Sequence, residues 1–324
     1  MRSLEPYQDF LAPQYQNFPR GNYVNILMIR ETLSETIFRT EGAAGPGLNK
    51  EFVRLTAGGE PVPRVVITKR KQVAVERRTG RELLRRFDML YSANQKGGED
   101  NICALNRNNP CEKCIDCMLY GYAVGGGGAQ RSRVITQDAY SLLPAGDIAE
   151  ERTFNATYDD GTMRDPINKE PSRALSENEY VKPHSHFLDV QVLKDVMAEE
   201  LVYVLGNLLR STRYGAVSSR VGRVTNHIIG ITFSTCELYS NLELTEEVAG
   251  LLPEEPELPL LTQDLVPPVR ETAARLAGQA CGRVQEMPPE ELDQLVAEVR
   301  QLYRQEEGLQ ALLRQLEGKY PDRG

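Results

Sequence analysis

The stretch FLDVQVLKDVMAEELVYVLGNLLR, residues 187–210, contains the two patterns on which the fold prediction rests. Residues 187–192 favour a β-strand, and we expect Phe187, Val190 and Val192 to be core residues. Residues 194–210 favour an amphipathic helix whose apolar stripe consists of Met197, Leu201, Val204, Leu205 and Leu208. A strand pattern followed directly by a helix pattern predicts a protein of mixed α and β structure.

The same patterns recur on both sides of this stretch. Further strands are predicted at 22–30, 34–40, 62–68, 72–76 and 224–233. Further helices are predicted at 82–91, 269–280 and 289–317. Five prolines between 253 and 268, with acidic residues among them, predict an extended strap. We therefore expect a core over residues 1–250 and a Pro-rich strap with an acidic helical appendage over residues 251–324.

The charge distribution is more informative than the net charge of −8. Residues 241–324 contain 8 basic and 17 acidic residues, whereas residues 52–86 contain ten basic and three acidic ones. Residues 201–236 contain four arginines and no acidic residue. A protein that is acidic as a whole can therefore carry a basic groove, which is typical of nucleic-acid binding.

Hydropathy argues against a membrane protein. No apolar run approaches the roughly 18 residues that a membrane-spanning helix needs. The first six residues, MRSLEP, contain no apolar signal-peptide core. We therefore expect a cytoplasmic protein without a membrane partner, in which cysteines serve as thiols or metal ligands rather than in disulfides.

Four cysteines are spaced C-x7-C-x2-C-x2-C, at Cys103, Cys111, Cys114 and Cys117. Tetrahedral zinc takes four soft ligands, and C-x2-C spacing brings two thiolates to one side of a tight turn. Four free thiols and an iron–sulfur cluster are the alternatives, although the x7 spacing fits a cluster less well. The sequence predicts structural zinc, because four protein ligands leave no coordination position for water.

Basic side chains in three segments are candidate phosphate ligands, since guanidinium groups bind phosphate bidentately. A solvated surface whose arginines pair with the acidic tail is the alternative. The first segment lies between the 194–210 helix and the last strand, the second follows the glycine run 125–128, and the third lies at 69–77. With Tyr214, and with Gly215, which would let the backbone approach a ligand closely, the candidates are Arg210, Arg213, Arg220 and Arg223; Arg131 and Arg133; and Lys69, Arg70, Lys71 and Arg77.

Residues 151–183 predict a long, polar, projecting hairpin. An alternating strand pattern precedes Asp160-Gly161, a favoured turn pair, and a second strand pattern returns near 178–182. The segment has too few apolar residues to be buried along its whole length.

Three segments carry a resemblance to a known family: NRNNPCEKCIDCMLYGYAVGGGGAQRSRV at 106–134, ERTFNATYDDGTMRDP…EYVKPHSHF between 151 and 187, and RSTRYGAVSSRVGRVTNHIIGITF at 210–233, followed by ELYSNLELT. They resemble the backbone subunit of type I-D CRISPR surveillance complexes, a member of the Cas seven-type superfamily. The resemblance covers roughly residues 20–245.

This resemblance implies an α+β fold with a modified RNA-recognition-motif core, which is ferredoxin-like. It implies a zinc- and glycine-rich insertion at 101–135 and identifies the 151–183 hairpin as a thumb. It also implies several copies stacked along one CRISPR RNA in a filament, with other effector subunits as partners. The guide then pairs with target DNA or RNA, so the protein needs to bind the RNA backbone rather than read its bases.

Two other functions remain open from the sequence. The first is a metal-dependent endoribonuclease that cuts guide-bound target RNA with an aspartate near the hairpin, among Asp147, Asp159, Asp160 and Asp165. The second is a zinc-stabilised protein-interaction module that uses the acidic tail. His184, His186 and His227 form no known catalytic signature, and we expect a protein that is not an enzyme.

Overall fold

The computed structural model describes residues 1–40, 47–54, 60–92, 102–105, 109–124, 128–155, 157–171, 175–217, 221–253 and 255–321. It begins with a 3-10 helix, Arg2–Phe10. The strands are β1 (Tyr23–Thr32), β2 (Lys50–Val53), β3 (Val62–Ile67), β4 (Tyr122–Ala123), β5 (Ala129–Gln130), β6 (Val134–Ile135), β7 (Ala139–Tyr140), β8 (Ala149–Asn155), β9 (Leu175–Val181), β10 (His186–Lys194), β11 (Arg213–Tyr214), β12 (Gly222–Ser234) and β13 (Val284–Glu286). The helices are α1 (Lys69–Arg86), α2 (Ile115–Tyr120), α3 (Ala145–Ile148), α4 (Ala198–Arg210), α5 (Asn241–Ala249), α6 (Thr262–Ala277), α7 (Pro289–Arg304) and α8 (Glu306–Glu317).

A six-stranded antiparallel sheet organises the fold in the order β11-β12-β1-β10-β6, with β13 added beside β12. β1 lies between β10 and β12, and its apolar sequence is buried along almost its whole length. A second antiparallel sheet has the order β2-β3-β7, and β4-β5 and β8-β9 form two-stranded ribbons. The predicted mixed α and β structure is confirmed.

The two faces of the sheet bury different cores, because side chains alternate along a strand. Val24, Ile26 and Met28 of β1 point to one face, where they join α1, α2, α4, α7 and α8. Leu27 and Ile29 point to the other face, where α5 and α6 cover them. A third, smaller core lies beneath the second sheet and the start of the β8–β9 hairpin.

The C-terminal helices are part of the fold, which corrects the expectation of an appendage. Leu295 of α7 and Leu313 of α8 are fully buried in the same core as β1 and α4. The expected strap is also shorter, because α6 begins at Thr262 and contains Pro267 and Pro268. The stripe over 289–317 correctly predicted helices, and it belongs to two of them that pack inward.

Two predicted strands are wrong. Residues 72–76 lie inside helix α1. The buried residues of this helix include Gln72, Val75 and Glu76 and, further along the helix, Leu83. Val73 and Val75 favour a strand locally, but packing against α4 overrides that preference. Residues 34–40 form only one isolated bridge, between Thr36 and Val181. The strands expected at 22–30, 62–68, 187–192 and 224–233 are confirmed within a few residues.

The predicted hairpin is confirmed: β8 pairs antiparallel with β9 from Ala149↔Val181 to Asn155↔Leu175. Its base is anchored, because Tyr180 and Val181 are buried in the third core. Beyond the strands, most of the described residues are exposed, and Ile167 in the loop is 92% exposed. No helix in the described part of the chain combines the length and hydropathy needed to cross a membrane.

Candidate nucleic-acid groove and cysteine cluster

The four predicted cysteines converge to one buried cluster. The Cys103 Sγ atom lies 3.5 Å from Cys117 Sγ and 4.0 Å from Cys114 Sγ. All four sulfur atoms lie within 4.8 Å of one another. Sulfur ligands at 2.3 Å from a tetrahedral zinc ion are separated by about 3.8 Å, so this spacing fits the set. The buried cluster can therefore hold a metal ion.

The C-x2-C-x2-C spacing produces this geometry through a tight turn that leads into α2. The Cys114 amide donates to Cys111 Sγ (3.3 Å), and the Cys117 amide donates to Cys114 Sγ (3.4 Å). Hydrogen bonds from the other three thiols, the Cys111 thiol foremost, hold the pKa of Cys103 well below its usual range. Hydrogen bonding with Cys103 raises the pKa values of Cys114 and Cys117, so Cys103 is the cysteine that most favours thiolate, the form that binds metal.

A buried carboxylate connects this cluster to α1. Asp116 accepts hydrogen bonds from Arg77 Nε and Nη2 (3.0 and 2.8 Å) and from Arg81 Nη1 (2.9 Å). Arg81 also donates to Cys103, both to its sulfur (3.5 Å) and to its carbonyl oxygen. Most of the hydrogen-bonding capacity of Arg77, which we predicted to bind RNA, is therefore directed at Asp116 and at the Gly121 carbonyl oxygen (3.1 Å).

A basic groove of about 820 Å³ lies between the first half of α1 and a second segment, of which residues 215–217 and Val221 line it. Residues of α1 line it together with Gly215, Ala216 and Val217. The apolar side chains Val73, Ala74 and Val75 also line it. Its basic residues are Arg39, Arg70, Lys71, Arg77 and Arg78.

Four of the predicted phosphate ligands are brought together in this groove, namely Arg70, Lys71, Arg77 and Gly215. Gly215 adopts a left-handed φ of +106°, and a Cβ there would lie 2.9 Å from the Ile37 carbonyl oxygen, so a side chain does not fit. Lys69 is exposed at the first residue of α1. Arg220 and glycines 125–127 fall outside the described residues.

Two predicted ligands are corrected, because their side chains are buried. The Tyr214 hydroxyl accepts hydrogen bonds from Arg30 Nη1 (3.0 Å) and Asn226 Nδ2 (2.9 Å) beneath the groove. Arg133 pairs with Glu200 through both guanidinium Nη atoms (2.7 Å for Nη1). These two side chains stabilise the fold rather than face a ligand.

The remaining predicted ligands lie on other surfaces. Arg210 packs over the Tyr303 ring and lines a separate cavity of about 240 Å³ with Arg86 and Arg304. Arg213 and Arg223 are exposed opposite each other on β11 and β12, and Arg131 is exposed beside β5.

Sequence reasoning missed Arg39 and the buried network beneath the groove. Arg30 is fully buried, and it donates to Asp189 Oδ2 from two nitrogens (2.9 and 2.7 Å) and to Glu76 Oε1 (3.1 Å). Together with its bond to Tyr214, this network connects α1 to β11 across the sheet. The only sign of this network in the sequence was Arg30 itself, a single arginine inside an otherwise largely apolar strand.

The chain's three histidines also meet unexpectedly, on the sheet face that α6 covers. Glu31 bonds His184 Nδ1 (2.8 Å) and His227 Nε2 (2.9 Å), and it accepts from the Thr262 hydroxyl (2.8 Å). His186 Nε2 bonds the same hydroxyl (2.9 Å). Burial lowers the pKa of His186 to about 4, so this imidazole is neutral at pH 7.

Comparison with known proteins identifies the family. The model of the Csc2 CRISPR family matches residues 10–313. The chain belongs to this family. Among solved structures, the Csc2 family member from Thermofilum pendens is similar, with 18% identity, a TM-score of 0.62, and coverage of 99% of this chain and 96% of that one. A chain of a CRISPR RNA-guided surveillance complex, in a pre-nicking state, is similar with 10% identity and a TM-score of 0.51, over 86% and 99% of the two chains.

At these identities the two structures establish a shared fold. No curated protein sequence matches the chain. Membership of the Csc2 family makes this a CRISPR-associated protein.

Proposed function

We propose that this subunit binds the phosphate backbone of CRISPR RNA in the groove between α1 and residues 215–217. The observation that carries the proposal is the convergence of Arg39, Arg70, Lys71 and Arg78 on one groove with a partly apolar lining. Of the described residues that line it, none is aromatic, so it offers charge rather than stacking surfaces. A binding mode of this kind is independent of sequence and leaves the bases free to pair.

The core that carries the groove is proposed to be a modified RNA-recognition motif. The succession β1-α1-β6-β10-α4-β12, with spatial order β12-β1-β10-β6 and two helices on one face, supports this assignment. The predicted insertion at 101–135 then ends before β6, at residue 133, and residues 149–181 are a second insertion into that motif. The likeness to a chain of a CRISPR RNA-guided surveillance complex is consistent with it.

In the assembly, several copies are proposed to stack head to tail along one guide, in a type I-D complex with other subunits. A heterologous interface that does not close produces such a filament. The β8–β9 hairpin is the proposed thumb, which contacts the guide–target duplex with its exposed loop around Ile167. The target, DNA or RNA, is bound through pairing with the guide.

The metal in the cysteine cluster is proposed to be structural zinc. Four thiols would complete the coordination sphere, so the ion would supply cross-linking of residues 103–117 and no open position for chemistry. Cys103 contacts the segment 111–117 through this cluster and, by way of Arg81, through Asp116. Metal analysis of purified wild type and Cys114→Ser tests the assignment, and zinc-free wild type would exclude it.

We propose RNA binding without cleavage. Asp160 Oδ1 accepts from the Thr162 amide (2.9 Å) and hydroxyl (2.8 Å), and Asp165 Oδ1 accepts from the Ile167 (2.8 Å) and Asn168 (3.1 Å) amides. These two carboxylates are thus used in shaping the hairpin loop. Metal-dependent cutting of target RNA at regular intervals, lost in Asp165→Ala, would contradict this proposal.

The groove is tested with a triple variant, Arg70→Ala, Lys71→Ala and Arg78→Ala, in filter binding of oligouridine at several salt concentrations. Each lost phosphate contact lowers the slope of log K against log salt by about 0.7, so we expect a decrease of about 2. The matched control replaces three exposed arginines outside the groove, Arg85, Arg275 and Arg300, with alanine. Equal losses in both variants would reject the groove and indicate nonspecific attraction.

A further inference from the structure

A short segment, residues 33–39, lies between the groove and the hairpin and is bonded to both; we call it the joint. On the groove side, the Ala216 amide donates to the Ile37 carbonyl (2.7 Å), and the Leu33 amide donates to the Arg223 carbonyl (2.7 Å). On the hairpin side, Thr36 and Val181 exchange two backbone hydrogen bonds (3.1 and 2.8 Å). The joint therefore connects the wall of the groove to the base of β9.

Two side chains of the joint reach further into the hairpin. Glu35 forms an ion pair with Arg152 of β8. Arg39 Nη1 donates to the Asn178 Oδ1 atom of β9 (3.1 Å). Arg39 differs from Glu35 because it also lines the groove, so one side chain touches both the proposed RNA site and the hairpin.

The chemistry of arginine allows both contacts at once. A guanidinium group has five N–H donors in a planar fork, and the bond to Asn178 uses one of them. The remaining donors can bind a phosphate bidentately, which lysine cannot do. A phosphate in the groove would fix the orientation of the Arg39 guanidinium group. Because this group donates to Asn178 Oδ1, it would also restrict the position of Asn178.

The orientation of the β8–β9 hairpin depends on the contacts at its base. Tyr180 and Val181 are buried, whereas residues 157–171 are largely exposed and bonded mainly to one another. On its other side β9 is held through Glu179, which accepts from the Leu48 amide (2.9 Å) and pairs with Lys50. A restraint at residue 178 is therefore transmitted to the whole projecting ribbon.

We propose that Arg39 is a positioning residue that couples RNA in the groove to the orientation and order of the β8–β9 hairpin. The proposal rests on the proposed RNA-binding function and adds a consequence to it: guide binding prepares the hairpin before any target arrives. Because coupling is reciprocal, a hairpin held by Asn178 also strengthens RNA binding in the groove.

The test measures hydrogen exchange of the full-length protein with and without saturating oligouridine, over residues 149–155 and 175–181. In the wild type, RNA should slow exchange in both strands. Arg39→Ala should weaken RNA binding about tenfold, the loss expected for one charge-assisted hydrogen bond, and should abolish the slowing even at saturation. Arg39→Lys should restore part of the affinity but little of the slowing, because it keeps the charge without the fork.

Arg78→Ala is the matched control, because Arg78 lines the same groove and no hydrogen bond or ion pair described here joins it to the hairpin. It should lower the affinity comparably and leave the slowing intact at saturation. Asn178→Ala should weaken RNA binding about fivefold in the wild type and have little effect in the Arg39→Ala background.

Absence of RNA binding and absence of coupling give different results in this test. If the wild type does not bind oligouridine, the proposed function falls and the coupling falls with it. If RNA binds but hairpin exchange does not change, or slows equally in wild type and Arg39→Ala, the coupling is refuted and the groove assignment stands.

Discussion

Replacement of Asp116 should destabilise the fold without removing a residue of the proposed RNA site. The Asp116 carboxylate is fully buried and accepts three hydrogen bonds from the guanidinium groups of Arg77 and Arg81. Replacing it with alanine leaves Arg81, whose side chain is 5% exposed, without its counter-charge. Breaking a buried ion pair from one side costs about 3–5 kcal/mol, because the remaining charge stays desolvated.

The expected loss of unfolding free energy can be converted into a decrease in melting temperature. Unfolding entropies near 2.1 cal/mol/K per residue give about 0.7 kcal/mol/K for a chain of this length. Asp116→Ala should therefore lower the melting temperature by about 4–7 °C in a calorimetric or circular-dichroism scan. Asp116→Asn should cost less, because the amide oxygen still accepts one hydrogen bond.

Metal content provides the second measurement, since Arg81 bonds both the sulfur and the carbonyl oxygen of Cys103. We expect Asp116→Ala to lose the metal of this cluster, proposed to be zinc, more readily to a chelator than the wild type. The control is Arg85→Ala, an exposed arginine on the same helix, which should change the melting temperature by less than about 1 °C. A loss of under about 1 kcal/mol in Asp116→Ala would refute the view that this carboxylate joins α1 to the cysteine cluster.

Three further outcomes follow from separate parts of the structure. Because the pKa of His186 falls to about 4 in the folded protein, its stabilising contribution is complete above pH 6.5 and is lost as the pH falls from 6.5 to 4. The loss is at most about 3 kcal/mol, and it should disappear in His186→Gln in denaturant titrations at several pH values. Gly222→Ala should destabilise the protein, because the new Cβ would lie 1.8 Å from Thr36 Oγ1 and 2.7 Å from the Glu35 carbonyl oxygen; unchanged denaturation midpoints would contradict that contact. Removal of residues 155–178 also removes Asn178, so it should weaken oligouridine binding no more than Asn178→Ala does, whereas it should strongly impair capture of a complementary target; target affinity equal to that of Asn178→Ala would reject the thumb.

The parts of the fold that could be predicted are those whose signal is local. The strand at 22–30 and the helix within 194–210 follow from the apolar periodicity of a few consecutive residues. The cysteine cluster follows from spacing alone, since C-x2-C-x2-C fixes three thiols around one turn. None of these inferences requires knowledge of a distant partner.

The parts that could not be predicted depend on partners far along the chain. The hydroxyl of Tyr214 meets Arg30, 184 residues away, and Arg39 meets Asn178 across 139 residues. An arginine or tyrosine beside glycines has the same local sequence whether it faces a ligand or a buried carboxylate. Burial by a remote strand decided between these two outcomes for Tyr214, and composition could not.

The groove shows how one error in secondary structure hides a site. We predicted a strand at 72–76, which separates the cluster 69–71 from Arg77 and Arg78. In the helix that forms instead, one face carries residues 70, 74 and 77–78, because they follow one another at spacings of three and four. The same helical phase turns Arg81 inward to Asp116, so the ten basic residues of 52–86 overstate the charge that is available to a ligand. The charge excess pointed to the helix that lines the groove, and only the helical phase selects Arg70, Lys71 and Arg78 as the side chains that would meet the proposed phosphate backbone.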